Sequence, residues 1–498
     1  MRPVDSGAPA LVRSVAIGCM IAIAPTGLHS QAPDSSTAPT DTIARRIDGS
    51  LPNGRIIQRL VSRADSSQRY ALYLPSSFVR ERQWPVLFLL DPRGRALIPM
   101  QRFQPAAERL GYIVISSYNT LSDGPIQPNY SAMNAMLDDV QQFLPADSRR
   151  LYMAGFSGTA RFAWQMSTQA PGTIAGIIGT GASVPGGRSW IRSNIGRTSP
   201  ALFGTIGTLD PNYEEVRELD AELDAIGTAH HIERFDGGHQ WPPLDLSTRA
   251  VEWLELNAMQ RGLTARNQPW IDSLYGSWRA RAVRADSTGD APGAARSYKL
   301  LASDFRGLVD LTTVESRLTA LRADARVRRA EAAEAAVAER DARLVEALFA
   351  FVADLKRAPS PPSVDDARKR LDLDRLRRDA TRTDDSTSAI ASRRALERIF
   401  SQLSFYAPRD LLDARRYSHA AAVLRVARLI KPDDGFACLT HARALAQTGD
   451  RPNALQALEC AAASRQLTAR TVEGDVLLEP LRGESRYQAV VRQLTPER

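Results

Sequence analysis

Ser157, Asp210 and His239 are the residues of this chain whose types, order and settings could do covalent chemistry. Ser157 stands in Gly155-Phe156-Ser157-Gly158-Thr159, after the apolar run Leu151-Tyr152-Met153-Ala154 and before a helix-like stretch. A serine at the tip of a strand-to-helix turn needs small neighbours, because strand and helix approach closely there. Gly155, Gly158 and Ala160 meet that need. Asp210 follows an apolar strand pattern, Ala201 to Gly207, on a loop closed by Pro211. His239 lies in Asp236-Gly237-Gly238-His239-Gln240-Trp241-Pro242-Pro243, after a short strand pattern, His230 to Phe235. A serine hydroxyl becomes a nucleophile near neutral pH only when a base takes its proton, and imidazole is suited to that task. The carboxylate would fix the imidazole tautomer and stabilise the imidazolium.

Each assignment has a rival. Asp236 and Asp224 are the reserve acids, and His230 and His231 the rival bases. The two histidines sit within a strand pattern and read as structural, one buried and one facing out. For the oxyanion, the backbone N–H of Gly158 follows the nucleophile. A second donor is expected from the loop Asp91-Pro92-Arg93-Gly94-Arg95, after the strand Val86 to Leu90. Pro92 has no N–H, so that donor is Arg93 or Gly94.

The elements needed to hold these residues alternate: strand, helix (Tyr213 to Ile226), strand, helix (Ser247 to Arg261). Residues 54–262 resemble an α/β-hydrolase of the secreted carboxylesterase kind, similar to the feruloyl esterase, polyhydroxyalkanoate depolymerase and dienelactone hydrolase-like groups. The Gly-x-Ser turn, the Asp loop and the Gly-Gly-His-x-Trp-Pro segment carry the resemblance. It implies an eight-stranded, mostly parallel sheet with helices on both faces. Thr159 stands where the family pattern has glycine, and Asp91-Pro92-Arg93-Gly94 replaces the usual His-Gly-Gly type of loop. Phe156, Trp241, Tyr118 and Asn119 are the expected substrate-lining residues. Val184 to Pro200 is too short for a large lid, which leaves the site open.

Composition sets the wider frame. The 498 residues allow two or three domains. Hydrophobic residues make up 43% and the formal charge is +8, yet arginine supplies nearly all of the cations. With no lysine-rich tail and no aromatic–basic interleaving, nucleic-acid binding is discounted. Residues 1–30 read as a signal peptide, with Arg2 and Arg13 ahead of the apolar run Val15 to Ala24. Residues 31–53 read as a flexible linker, and a periplasmic or secreted location follows. Cys438 and Cys460 are expected to be free or opportunistically paired. No zinc-type spacing occurs, so neither metal nor cofactor is expected.

After residue 262 the pattern turns helical, with residues 263–399 containing one repeat-like unit and a long helix over Thr313 to Arg357. Residues 400–498 carry a 34-residue period: Ala420, Leu424 and Ala427 recur as Ala454, Leu458 and Ala461. Ala282, Gly289-Asp290, Ala294 and Tyr298 match the same register. This resembles tetratricopeptide repeats, which implies a surface for a protein partner or for self-association.

The expected function is therefore a secreted serine hydrolase acting on small or polymeric carboxylic esters. Two alternatives stand beside it. One is a prolyl oligopeptidase-like serine peptidase. The other is a non-catalytic repeat scaffold carrying a degenerate hydrolase domain.

Overall fold

A computed structural model describes residue 47 and residues 50–494, apart from 197–198, 384–385 and 465–466. The signal-peptide reading, and most of the linker reading, lie outside the described residues. The near end of the linker is docked: Ile47 is buried, Leu51 packs on the core and the Asn53 amide donates to the Phe78 carbonyl.

The first half is an eight-stranded sheet. Its strands are β1 (Ile56–Val61), β2 (Arg69–Tyr73), β3 (Trp84–Leu90), β4 (Ile113–Ser117), β5 (Ala146–Phe156), β6 (Gly176–Thr180), β7 (Ala201–Gly207) and β8 (His230–Phe235). Their spatial order is β1-β2-β4-β3-β5-β6-β7-β8. β2 runs antiparallel to both β1 and β4, and every other pairing is parallel. The central strands are near-continuous apolar runs because helices cover both faces. On one face, α1 (Leu97–Leu110) and α6 (Leu244–Gln260) bury Phe103, Trp253 and Leu254. The opposite face is covered by α2 (Gln127–Phe143), α3 (Gly158–Gln169), α4 (Gly187–Asn194) and α5 (Tyr213–Ile226), which bury Met133, Trp164, Ile191 and Leu219. All the parallel strands end at one edge, where their following loops gather.

The second half is helical: α7 (Gln268–Ser287), α8 (Ala291–Asp304), α9 (Thr312–Ala323), α10 (Ala325–Arg357), α11 (Val364–Arg370), α12 (Leu373–Ala380) and α13 (Thr387–Ser401). A π-helical turn, Gln402–Tyr406, leads into α14 (Ala407–Asp413), α15 (Tyr417–Ile430), α16 (Gly435–Thr448) and α17 (Arg451–Ala463). Then come α18 (Ala469–Glu473), a 3-10 turn and α19 (Ser485–Leu494). The Gly-Asp joints end one helix and start the next. Gly289 (φ +83°) and Gly449 (φ +79°) take the left-handed conformation, while Asp290 and Asp450 cap α8 and α17. The small residues of the 34-residue register, Ala420, Ala427, Ala454 and Ala461, are all fully buried. No helix among the described residues is long and apolar enough to cross a membrane.

Core packing divides the chain differently from its secondary structure. Ile271, Trp278, Tyr298 and Val314 belong to the same core as the α1–α6 face of the sheet, so α7–α9 are an extension of the first half. A separate core runs from Leu348 to Val491. Helix α10 joins the two, giving Val327 to the first and Leu348, Phe351 and Leu355 to the second.

Two expectations are corrected, and one left open is decided. The helix expected over Thr313 to Arg357 breaks at Asp324, whose backbone is extended (ψ 131°) and whose carboxylate accepts the Arg326 N–H at 2.7 Å to cap α10. Aspartate competes with the helix for its own backbone donors, so a break there has a local cause. Of the two states left open for Cys438 and Cys460, the structure has the paired one, a disulfide between α16 and α17, whose alanine-lined faces bring the Cα atoms to 5.9 Å. Of the two strand histidines, expected as one buried and one facing out, neither faces out: His231 is 1% exposed and the His230 imidazole only 8%, under α5 and Lys299.

Candidate active site

The turn between β5 and α3 is strained. Ser157 has φ +56° and ψ −125°, a conformation that non-glycine residues rarely adopt and that projects Oγ away from both elements. Its own N–H donates to the Thr180 carbonyl at 2.8 Å. A Cβ at Gly155 would lie 2.5 Å from the Thr159 backbone, which is why only glycine serves there. Thr159, in place of the family's glycine, has a structural use. Its buried hydroxyl accepts the Phe156 N–H at 3.0 Å and donates to the Leu90 carbonyl at 2.5 Å, tying the turn to β3.

The other two members arrive from adjacent strand ends. The loop after β8 docks on the loop after β7 through Thr208 N–H to Phe235 O and Leu209 N–H to Gly237 O, both 2.8 Å. Gly207 permits this approach, since a Cβ there would meet the Gly238 carbonyl at 2.4 Å. The result is a continuous line of hydrogen bonds. His239 Nδ1 lies 2.8 Å from Asp210 Oδ2, and Nε2 lies 2.9 Å from Ser157 Oγ. Asp210 is fully buried, and its Oδ1 accepts the Asn212 N–H at 2.8 Å. The carboxylate accepts a hydrogen bond from Nδ1–H, so the Nε2 lone pair faces the serine hydroxyl. The imidazole side chain is 33% exposed, enough for a substrate to reach it. The Phe156 ring packs beside it, with centroids 4.6 Å apart.

The rivals fall elsewhere. Asp224 pairs with Lys299 at 2.6 Å, Asp236 is solvent-exposed, and His231 is buried against Asp304 and Glu233. Asp220, Asp224 and His230 lie close enough to share a cation, but the Lys299 ammonium takes that place, 3.6 Å from Asp220.

The expected supporting residues divide. The N–H of Gly158, in the first turn of α3, has no intrahelical acceptor and stands beside the nucleophile. The N–H groups of Arg93 and Gly94 instead both donate to Asp91, to Oδ1 at 2.9 Å and to the carbonyl at 3.1 Å. Gly94 is required by its φ of +64° and by the Tyr118 carbonyl, which would lie 2.3 Å from a Cβ. Trp241 does not wall a cleft. It is 2% exposed, packs on Phe103 and Phe156, and donates its indole N–H to Asp91 at 2.9 Å. Tyr118 and Asn119 are likewise spent on structure. The Tyr118 hydroxyl donates to Gln58 O at 2.7 Å, and Asn119 Oδ1 accepts the Arg69 N–H at 2.8 Å.

Three residues at the site escaped the sequence reading. Asp91, fully buried, gathers Arg93, Arg95 and Trp241 and so links the loop after β3 to the segment following His239. Asn212 donates from its amide to Gly181 O at 2.8 Å and thereby pins the Asp210 loop. Gly181 (φ +65°) lies against the triad itself. A Cβ there would come within 2.9 Å of the Phe156 ring, 3.1 Å of Asp210 Oδ2 and 3.3 Å of His239 Cε1. Only the position of Gly181 after a strand could have hinted at this. Gly181→Ala is accordingly expected to slow labelling of Ser157 by a fluorophosphonate probe by about ten- to a hundredfold, through displaced side chains, with secondary structure by circular dichroism unchanged.

Sheet order, strained serine turn and the Asp and His loops at the strand carboxyl edge together make the first half an α/β-hydrolase fold, followed by a large all-helical region. No family model and no curated protein matches the chain. Among solved structures, a thermostable esterase is 17% identical with a TM-score of 0.32, over 40% of this chain and 61% of that one. The chain thus spans less than two thirds of that esterase. FphF, a fluorophosphonate-binding serine hydrolase of Staphylococcus aureus, is 16% identical with a TM-score of 0.33, over 41% of this chain and 99% of that one. A ferulic acid esterase is 19% identical with a TM-score of 0.30, over 40% and 94%.

Proposed function

We propose that this chain is a serine hydrolase cleaving carboxylic esters through an acyl-enzyme at Ser157. The observation that carries the reading is the unbroken line Ser157–His239–Asp210, with the carboxylate buried and the hydroxyl open. Ser157 Oγ attacks the ester carbonyl carbon while His239 Nε2 takes the hydroxyl proton. The carbonyl oxygen becomes an oxyanion facing the Gly158 N–H. Collapse expels the alcohol, which receives its proton from His239. Water then repeats the sequence on the acyl-enzyme and frees the acid. Asp210 stays ionised throughout and stabilises the imidazolium.

The location we propose is the periplasm or the exterior. The charged start and apolar run of residues 1–30 support it, as does the Cys438–Cys460 disulfide, a bond favoured in oxidising compartments. The Gly-Asp joints and buried small residues support a tetratricopeptide-like reading of the helical half, available to a protein partner or a second copy.

The test compares p-nitrophenyl esters with aminoacyl anilides, alongside fluorophosphonate labelling of the full chain. Label on Ser157 and turnover confined to the esters are expected. Preferential anilide cleavage would move the reading to a peptidase. A chain that neither labels nor turns over either substrate would leave it as a scaffold.

A further inference from the structure

Two contacts bind the helical half to the loops of the triad. The first is made by α13. Arg398 donates through Nε to the Pro211 carbonyl at 3.0 Å and also through Nη2, one residue beyond Asp210. Its charge is balanced by Asp341 of α10 at 3.0 Å, and the guanidinium is 17% exposed. One turn earlier, Arg394 lies 3.8 Å over the Tyr213 ring and pairs with Glu214 at 3.1 Å, both at the start of α5. Helix α13 therefore holds the Asp210 loop and the helix that follows it.

The second contact is made by the π-helical turn and α14. The Tyr406 hydroxyl donates to Asp123 Oδ1 at 3.0 Å, and Arg409 Nη1 donates to the Asp123 carbonyl at 2.6 Å. Asp123 has φ +61°, unusual for a non-glycine residue. Its neighbour Ser122 lies against the serine turn, so close that a Cβ on Gly158 would meet Ser122 Cβ at 2.4 Å. The Ser122 N–H donates to the Pro92 carbonyl at 2.9 Å, in the loop after β3. Pro408 gives the π-turn a local cause, since its ring lacks an N–H and crowds the carbonyl of Ser404. A left-handed non-glycine residue and a π-helical turn, both uncommon, thus meet at one hydrogen bond, one residue from Ser122. Burial, and then the Asp123 carboxylate, push the Tyr406 hydroxyl's pKa up to about 12, so it remains a donor.

We propose that the helical half is part of the catalytic centre, with Arg398 and Tyr406 as positioning residues. Arg398 holds the Asp210 loop, and Tyr406 holds the 119–124 loop against the turn that carries Ser157. This inference rests on the serine hydrolase reading.

The test uses full-length chain with p-nitrophenyl acetate and a fluorophosphonate probe, well below the thermal transition. Arg398→Ala is expected to lower kcat and the labelling rate together by about tenfold, with little change in KM, because misplaced groups slow the chemical step. Arg398→Lys should recover part of the loss by restoring a donor to the Pro211 carbonyl. Tyr406→Phe, which removes one hydroxyl, should lower kcat severalfold. Glu397→Gln breaks the Lys431 pair on the same helix and serves as the control, with wild-type kinetics expected. If wild type labels and turns over while folded Arg398→Ala and Tyr406→Phe match it, this inference is overturned and the hydrolase reading stands. If Arg398→Ala does not fold, Arg398→Lys and Tyr406→Phe decide. Wild type that neither labels nor turns over overturns both.

Discussion

Ser157→Ala is expected to abolish fluorophosphonate labelling and to lower kcat on p-nitrophenyl esters by roughly 10⁶-fold, the scale on which removal of a triad nucleophile acts. Stability should not fall with it. Ser157 holds a strained, positive-φ conformation, and its Oγ has His239 Nε2 as hydrogen-bond partner at 2.9 Å. Asp210→Asn is the more discriminating companion. Asparagine is nearly the same size, and its Oδ1 could still accept the Asn212 N–H. Its amide would donate to His239 Nδ1, which forces the proton onto Nε2 and leaves no base for the serine. The expected loss is roughly 10⁴-fold in kcat, with little effect on KM. Equal activity in wild type and Asp210→Asn would remove the carboxylate from the mechanism.

Asp304→Ala is expected to give the largest loss of stability, about 3–5 kcal/mol by urea titration, because it takes from a buried imidazolium the nearer of its two carboxylates. His231 on β8 is 1% exposed, with Asp304 of α8 2.7 Å from Nδ1 and Glu233 3.1 Å from Nε2. Burial alone would push the imidazole's pKa down. The Asp304 carboxylate, helped by Glu233, more than reverses this and raises it to about 9. Asp304 also accepts the Trp253 indole N–H at 2.8 Å, and Glu233 is shared with Arg249 and Arg281. The folded pKa lies above the ordinary 6.5, so this stabilisation is complete below about 6.5 and is lost as pH rises through about 9. Wild type should therefore weaken over that window, and Asp304→Asn should flatten the dependence. Trp253 and Trp278, 6.2 and 5.4 Å from the His231 ring, supply the fluorescence signal. A stability unchanged within about 1 kcal/mol in Asp304→Ala would show that α8 is not locked to the sheet through this pair.

Much of the first half was legible because its signals are local. The apolar runs of β3, β5 and β7, the small residues around Ser157 and the glycine pair before His239 each state their conformation within a few neighbours. The Gly-Asp joints of the helical half did the same, through a left-handed glycine followed by a capping aspartate. What misled was the fate of side chains whose partners lie far away. Trp241 beside a catalytic histidine suggested a substrate wall, but its indole N–H is claimed by Asp91, 150 residues earlier. The N–H groups of Arg93 and Gly94 looked free for an oxyanion until the buried Asp91 proved to accept both hydrogen bonds. Cys438 and Cys460 each fitted a helix, and only the packing of α16 on α17 made them partners.

The residue types thus determined which groups could react and their order along the chain: a hydroxyl in a strained turn, a carboxylate and an imidazole in successive loops. Those properties follow from backbone preferences and side-chain ionisation, which are written position by position. Tertiary structure alone decided what surrounds them: Gly181 against the imidazole, Asn212 on the acid loop and Arg398 reaching the Pro211 carbonyl across 187 residues. Such contacts depend on how whole elements pack, and packing sums many weak interactions over distances that no local pattern encodes.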